Sequence, residues 1–177
     1  MKWIEKLEKR FEGNTIWQFV KFNLTGMLIA GVQLILANVL PFVFDGFTEK
    51  LPEALRGVFD ANALFDSPSK YVVDGVVTWG YVLPFFLSNF LANIYGYFAN
   101  MKATFKGKGT RKGMIIYIVV LIALIFFSTW LQGRLTALLS GGSLAPFART
   151  LAAMAAGMVQ FIVIFPLEKY VLFKEKS

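Results

Sequence analysis

Four apolar stretches divide the chain, at about Phe19 to Phe44, Val76 to Met101, Met114 to Gln132 and Phe147 to Leu167. Each approaches or exceeds the ~20 residues that a helix needs to cross a bilayer. No strict two-residue alternation competes, which argues against a β-barrel. The pattern predicts an all-α membrane protein: four transmembrane helices in a single domain covering residues 1–177.

Polar positions organise the rest. In residues 1–18, Trp3, Ile4, Leu7 and Phe11 recur at helical spacing among charges, as expected of an interfacial segment lying on the membrane. A cleaved leader is a poor reading, because the apolar run starts late and continues past Val39 without a small-residue cleavage site. Residues 45–74 form the longest non-spanning part. There Leu51, Leu55, Val58 and Phe59 have helical spacing and Pro52 can open a turn, so a short amphipathic helix is expected. It either covers the bundle or acts as a lid over a cavity. Ser67-Pro68 resembles a helix start, which would let the second span begin outside the lipid. Pro84 removes the hydrogen bond to the Gly80 carbonyl and predicts a kink. Ser143 is a candidate cap for the fourth helix.

One helical face interrupts the apolar pattern. Asn89, Asn93, Gly96 and Asn100 follow spacings of four, three and four, on a helix otherwise built from Phe, Leu, Ile and Tyr. Lys102 marks the water boundary, nine residues beyond Asn93. At ~1.5 Å per residue, Asn93 then lies roughly 14 Å deep, near the middle of the hydrocarbon. A carboxamide there needs a partner. Small residues mark packing faces: Gly26 and Ala30 in the first span, Ala92 and Gly96 in the second, Ala152, Ala153, Ala156 and Gly157 in the fourth. The third span has almost none and is expected to supply most of the lipid-facing wall.

Composition and charge add orientation. Of 177 residues, 56% are hydrophobic and 16% charged, with a net charge of +7. Thirteen of the 18 basic residues fall in the segment through Lys21, the loop Lys102 to Lys112 and the C-terminal tail. The positive-inside rule therefore puts both termini and the central loop in the cytoplasm and argues against a dual-topology protein. The basic excess reads as this signal, with attraction to anionic membrane lipids, and no nucleic-acid partner is implied. Cysteine and histidine are absent, which excludes disulfides, thiol and imidazole catalysis and His-based metal sites.

The ends of spans two and four look alike. Asn100 to Lys106 reads Asn-Met-Lys-Ala-Thr-Phe-Lys, and Glu168 to Lys174 reads Glu-Lys-Tyr-Val-Leu-Phe-Lys. An offset of 68 aligns Phe105 with Phe173, Lys106 with Lys174 and Asn100 with Glu168. Either the match is chance or the fold is a tandem repeat of two-helix units in parallel orientation, a known transporter plan.

These segments carry a family resemblance. The opening Phe19-Val-Lys21-Phe22-Asn-Leu-Thr-Gly26 resembles that of the GtrA-like family. So does Ala92-Asn93-x-x-Gly96-Tyr-x-x-Asn100-x-x-x-Thr104-Phe105, and Phe165-Pro-Leu-Glu-Lys169-Tyr170-Val-Leu-Phe173 resembles the close of its fourth helix. The likeness covers about Phe19 to Phe173. It departs in the longer outer loop and at Pro166 and Glu168, where Asn or another small polar residue is expected. It implies a non-enzymatic protein of the bacterial cytoplasmic membrane, without a cofactor, serving glycosylation of cell-surface polysaccharide or teichoic acid. Such proteins are thought to flip a polyprenyl-phosphate-linked sugar between leaflets, beside a membrane glycosyltransferase that makes it.

That ligand asks for three things. Its phosphate asks for cations at the inner interface, and Lys21, Lys102 and Lys169 end spans one, two and four. Its sugar asks for amides and hydroxyls, which Asn23, Asn89, Asn93, Asn100, Gln160 and Glu168 can supply. Its tail asks for a gap between helices. Each residue also has a plainer reading. The lysines are ordinary interface residues, the amides bond neighbouring helices, and Glu168 pairs with Lys102 or Lys169. Gln33 and Asn38 are packing contacts or part of an exit path. Tyr95, Tyr97, Trp79, Trp130 and Tyr170 are expected as anchors or packing.

An integral glycosyltransferase would need placed acids, yet no Asp-x-Asp occurs. A small multidrug exporter would need a membrane-embedded acid, and the spans hold only Glu168 at an edge. A non-transporting subunit that anchors or regulates a glycosyltransferase is the remaining alternative. Four spans are few to enclose a whole path, which leaves room for a homo-oligomer.

Overall fold

The computed structural model describes residues 10–11, 14–44, 46–66, 71–141 and 143–173. Most of the interfacial segment expected in residues 1–18, the Ser67-Pro68 helix start and Lys174 lie outside the described residues. Four helices are long and apolar enough to cross a membrane: Thr15–Phe44, Trp79–Thr104, Arg111–Leu139 and Thr150–Leu172. The third extends well beyond the Gln132 limit expected for it.

Helix α1 (Thr15–Val39) is opened by Asn14, whose side chain accepts from the amides of Ile16 and Trp17. A one-turn helix α2 (Pro41–Phe44) continues it. Helix α3 (Glu53–Asp66) is the amphipathic helix expected between the first two spans. Its Phe59 is 2% exposed and, with Leu51, packs onto Val77 and Val82. Phe59 also meets Phe126 edge-on at 5.7 Å. A hairpin of β1 (Val72–Val73) and β2 (Val76–Val77) turns through Asp74 and Gly75, both at positive φ. The second span therefore starts at Trp79, after a hairpin. Helix α4 (Trp79–Ala99) runs through a buried Pro84. Helix α5 (Arg111–Leu139) is capped by Thr110 and α6 (Ala148–Pro166) follows a tight turn at Ala145–Phe147. Phe147, not Ser143, stands at the N-cap of α6.

Helix α1 packs along α4, and α5 packs along α6 and under α3. Gly96 of α4 lets α1 approach, since a Cβ there would collide with the Ile29 side chain. The α3 helix thus sits on the α4–α5 side, as cover for that pair.

The third span does not supply most of the lipid-facing wall expected of it: Ile115, Val119 and Phe127 are exposed, but its other face is covered. Tyr117, Leu121, Leu124, Ile125, Ser128 and Thr129 of α5 are all buried. The most exposed span is α1, none of whose most apolar 18-residue window is buried. Small residues let helices approach, but long aliphatic side chains fill a core equally well. A branched apolar surface suits lipid and protein alike.

Both α4 and α6 end in π-helical turns, at Asn100–Thr104 and Leu167–Leu172. The Phe105 amide donates to the Asn100 carbonyl at 2.9 Å, and the Phe173 amide to the Glu168 carbonyl at 2.8 Å. The closing bonds thus share the 68-residue offset of the sequence match. The two turns touch, with the rings of Phe105 and Phe173 5.7 Å apart.

Candidate functional site

Contacts at one end of the bundle bring its basic residues together. Lys21 donates to the Ala103 carbonyl at 2.9 Å, satisfying an orphan acceptor at the end of the α4 extension. Lys169 donates to the Thr15 hydroxyl at 2.5 Å and lies over the rings of Phe165 and Tyr170. The start of α1 and the ends of α4 and α6 therefore share one face of the molecule, the basic end.

Here α1 and α6 meet through aromatic rings. Phe22 lies 4.9 Å from Phe161 and 5.2 Å from Phe165, while Phe19 meets both edge-on. Toward the middle of the bundle the same helices enclose a cavity of about 380 Å³. That falls within the ~300–1,000 Å³ usual for small-molecule sites. Helix α1 contributes Asn23, Gly26, Ala30 and Gln33; α4 contributes Asn93 and Asn100. Tyr117 of α5 forms part of the floor, and Gly157, Gln160 and Phe161 of α6 the far wall. The cavity opens sideways. Met27, which lines it, is 72% exposed, and a Cβ built on Gly26 or Gly157 would meet nothing within 4 Å. The glycines expected to pack helices together here flank an opening.

Four of the sequence candidates, Asn23, Asn93, Asn100 and Gln160, converge on this cleft. Asn23 turns its amide to the Phe19 carbonyl at 2.7 Å. Asn93 donates to the Asn89 carbonyl and side-chain oxygens at 2.9 and 2.8 Å. Asn89 is buried behind the wall as that acceptor, so its role is to hold Asn93. Asn100 is 1% exposed, and its side-chain oxygen accepts from Thr104 at 3.1 Å. The Thr104 hydroxyl lies 3.5 Å from that of Thr25, tying α4 to α1. Lys21, Lys102 and Lys169 do not line the cleft; Lys102 is exposed.

Glu168 departs furthest from expectation. It pairs with neither Lys102 nor Lys169 but is 0% exposed at the junction of α4, α5 and α6. Asn100 is its polar neighbour, and Tyr97 and Tyr117, with ring centroids 4.7 Å apart, pack in the same core as Leu172 of its turn. Neither carboxyl oxygen has a hydrogen bond of normal geometry among the described residues, and the buried Tyr97 hydroxyl has none either. The cause is rotation: successive helical residues point ~100° apart, so with Lys169 held on Thr15, Glu168 faces inward.

Tyr117 is the site residue that sequence reasoning missed. Its hydroxyl donates to the Asn93 carbonyl at 2.9 Å, joining α5 to the polar stripe of α4. The available signal was a single phenol within the Ile and Val run of the third span.

Fold and site define a class: a small four-helix protein of membrane-spanning length, with an amide-lined cleft on its flank. Comparison with protein-family models, curated proteins and solved structures gives no match.

Proposed function

We propose that this protein moves a polyprenyl-phosphate-linked sugar from the inner to the outer leaflet of the bacterial cytoplasmic membrane, without making or breaking bonds in it. The observation that carries this reading is the sideways-open cleft, with amides and a phenol inside, in a bundle whose basic end gathers Lys21 and Lys169 outside the cleft. An open flank admits a lipid tail that stays in the bilayer. The amides offer donors and acceptors to a sugar, and the lysines attract its phosphate. The likeness to the GtrA-like family supports the same ligand. With thirteen of 18 basic residues allotted to one side, the basic end is cytoplasmic in this reading. The paired π-turns, each closed by a bond to Phe105 or Phe173, support a duplicated two-helix unit. The product would serve glycosylation of surface polysaccharide or teichoic acid, beside a glycosyltransferase that supplies the lipid.

The test is reconstitution in liposomes with a labelled polyprenyl-phosphate sugar, reading its exposure in the outer leaflet. Transfer above empty liposomes is expected, with loss in the Asn93→Leu, Asn100→Leu double variant. Wild-type transfer by a folded double variant would sink the site.

A non-transporting subunit for a glycosyltransferase is the second reading. The exposed apolar surface of α1 favours it. No transfer above empty liposomes, together with co-purification of the glycosyltransferase, would support that role instead.

A further inference from the structure

Glu168 is the only acid within the four spans and is fully buried. An uncompensated carboxylate in such a place costs several kcal/mol. Removal of that cost requires a cation or a proton. Around it are Tyr97 and Asn100 from α4 and Tyr117 from α5. At the same end of the bundle Lys21 of α1 donates to Ala103, and on Glu168's own turn Lys169 donates to Thr15. Neither carboxyl oxygen has a hydrogen-bond partner among the described residues.

The fold does not need an acid here. The π-turn is closed by the Glu168 backbone carbonyl, which any residue supplies. At the matching position of α4 the chain uses an amide, Asn100. A carboxyl adds one property that an amide lacks, a removable proton. Glu168 also stands next to the cleft. Asn100 and Tyr117 both line it, and Ile164, one turn before Glu168, lines it too.

We infer that Glu168 is a proton-binding site linked to occupancy of the cleft: an anionic lipid head enters while the carboxyl holds its proton, and loss of that proton to water expels it. Two like charges in a low-dielectric space repel strongly. A neutral acid removes the repulsion, so lipid and proton favour each other's binding, and the coupling is reciprocal. The inference rests on reading the cleft as the lipid-sugar site, and it adds the proton as the linked ligand.

The test measures binding of a polyprenyl-phosphate hexose to the full chain in lipid nanodiscs over a pH series. This probe is a phosphodiester and keeps one negative charge throughout. Wild-type affinity should fall as pH rises, approaching about tenfold per pH unit for one linked proton. Glu168→Gln should keep the low-pH affinity at every pH. Identical pH profiles in the two proteins overturn the inference and leave the transport reading standing. A dependence on sodium in place of pH also overturns it. Should Glu168→Gln fail to fold, Glu168→Asp serves: a shifted midpoint supports the inference and an unshifted one overturns it. If neither protein binds lipid, the transport reading falls and infrared titration decides the proton site alone. A carboxyl band missing from Glu168→Gln that fades with rising pH supports it; a constant band overturns it.

Discussion

Replacing Gly96 with alanine tests whether the contact between α1 and α4 sets the shape of the cleft. A Cβ on Gly96 would overlap both Cδ1 and Cγ1 of Ile29. The tip of Ile29 alone could swing aside, but its Cγ1 is held by a β-branched side chain with one strongly preferred χ1 rotamer in a helix. The strain must therefore separate the helices or force a poor rotamer. Overpacking of this kind costs about 1–3 kcal/mol. Separation also pulls Thr25 from Thr104 and widens the cleft, since Ile29 lines it. The assay is equilibrium unfolding in detergent of Gly96→Ala, Ile29→Ala and the double variant. Removing the Ile29 branches makes room for the new methyl, so the double variant should be more stable than the sum of its parts predicts, by about 0.5–3 kcal/mol. Lipid binding should recover with it. Additive effects within error would refute the idea that these two residues meet at the helix contact.

Three further outcomes follow from the same contacts. Phe59→Ala should destabilise the protein by about 3–5 kcal/mol in the same assay, because it empties the seat of α3 on Phe126 and Val77; a loss below 1 kcal/mol would mean that α3 is a dispensable cover. Tyr117→Phe should cost about 0.5–1.5 kcal/mol by deleting the bond to Asn93, and should weaken binding of the lipid-linked sugar; unchanged affinity would remove the phenol from the site. At the β1–β2 hairpin, the Lys50 ammonium bonds Asp74 at 2.6 Å, and that bond together with its charge holds the Asp74 carboxyl below the usual carboxylate range. The pair's support of the hairpin is then present above the usual range and is lost as pH falls through the lowered value. An NMR titration should show Asp74 returning to the ordinary range in Lys50→Ala; no change would refute the pairing.

The order of spans, the amphipathic helix between the first two and the basic end were legible because each depends on local quantities. A run of twenty apolar residues needs no partner to be recognised, and Leu55, Val58 and Phe59 announce a buried face by spacing alone, whereas Leu51 lies ahead of the helix and pairs with Val77. The polar stripe was equally plain, since Asn93 and Asn100 break an apolar helix. Asn89 shared their face in sequence but does not line the cleft, and its oxygens accept from Asn93 one turn on.

By itself, then, the sequence determined four helices of membrane-spanning length, the amide stripe and the likeness of the two helix ends, all of which follow from chain length, hydropathy and side-chain type. Only the tertiary structure decided which faces turn inward. In lipid, the outside of a bundle is as apolar as its core, so hydrophobicity cannot rank the sides of a helix as it does in water. That is why α5, uniform in sequence, buries one face with Tyr117 and Thr129, while none of the most apolar window of α1 is buried. The same packing turned Glu168 away from the lysines and set it beside Asn100. A carboxyl that looked like half of an interface ion pair became a buried acid at the edge of the cleft.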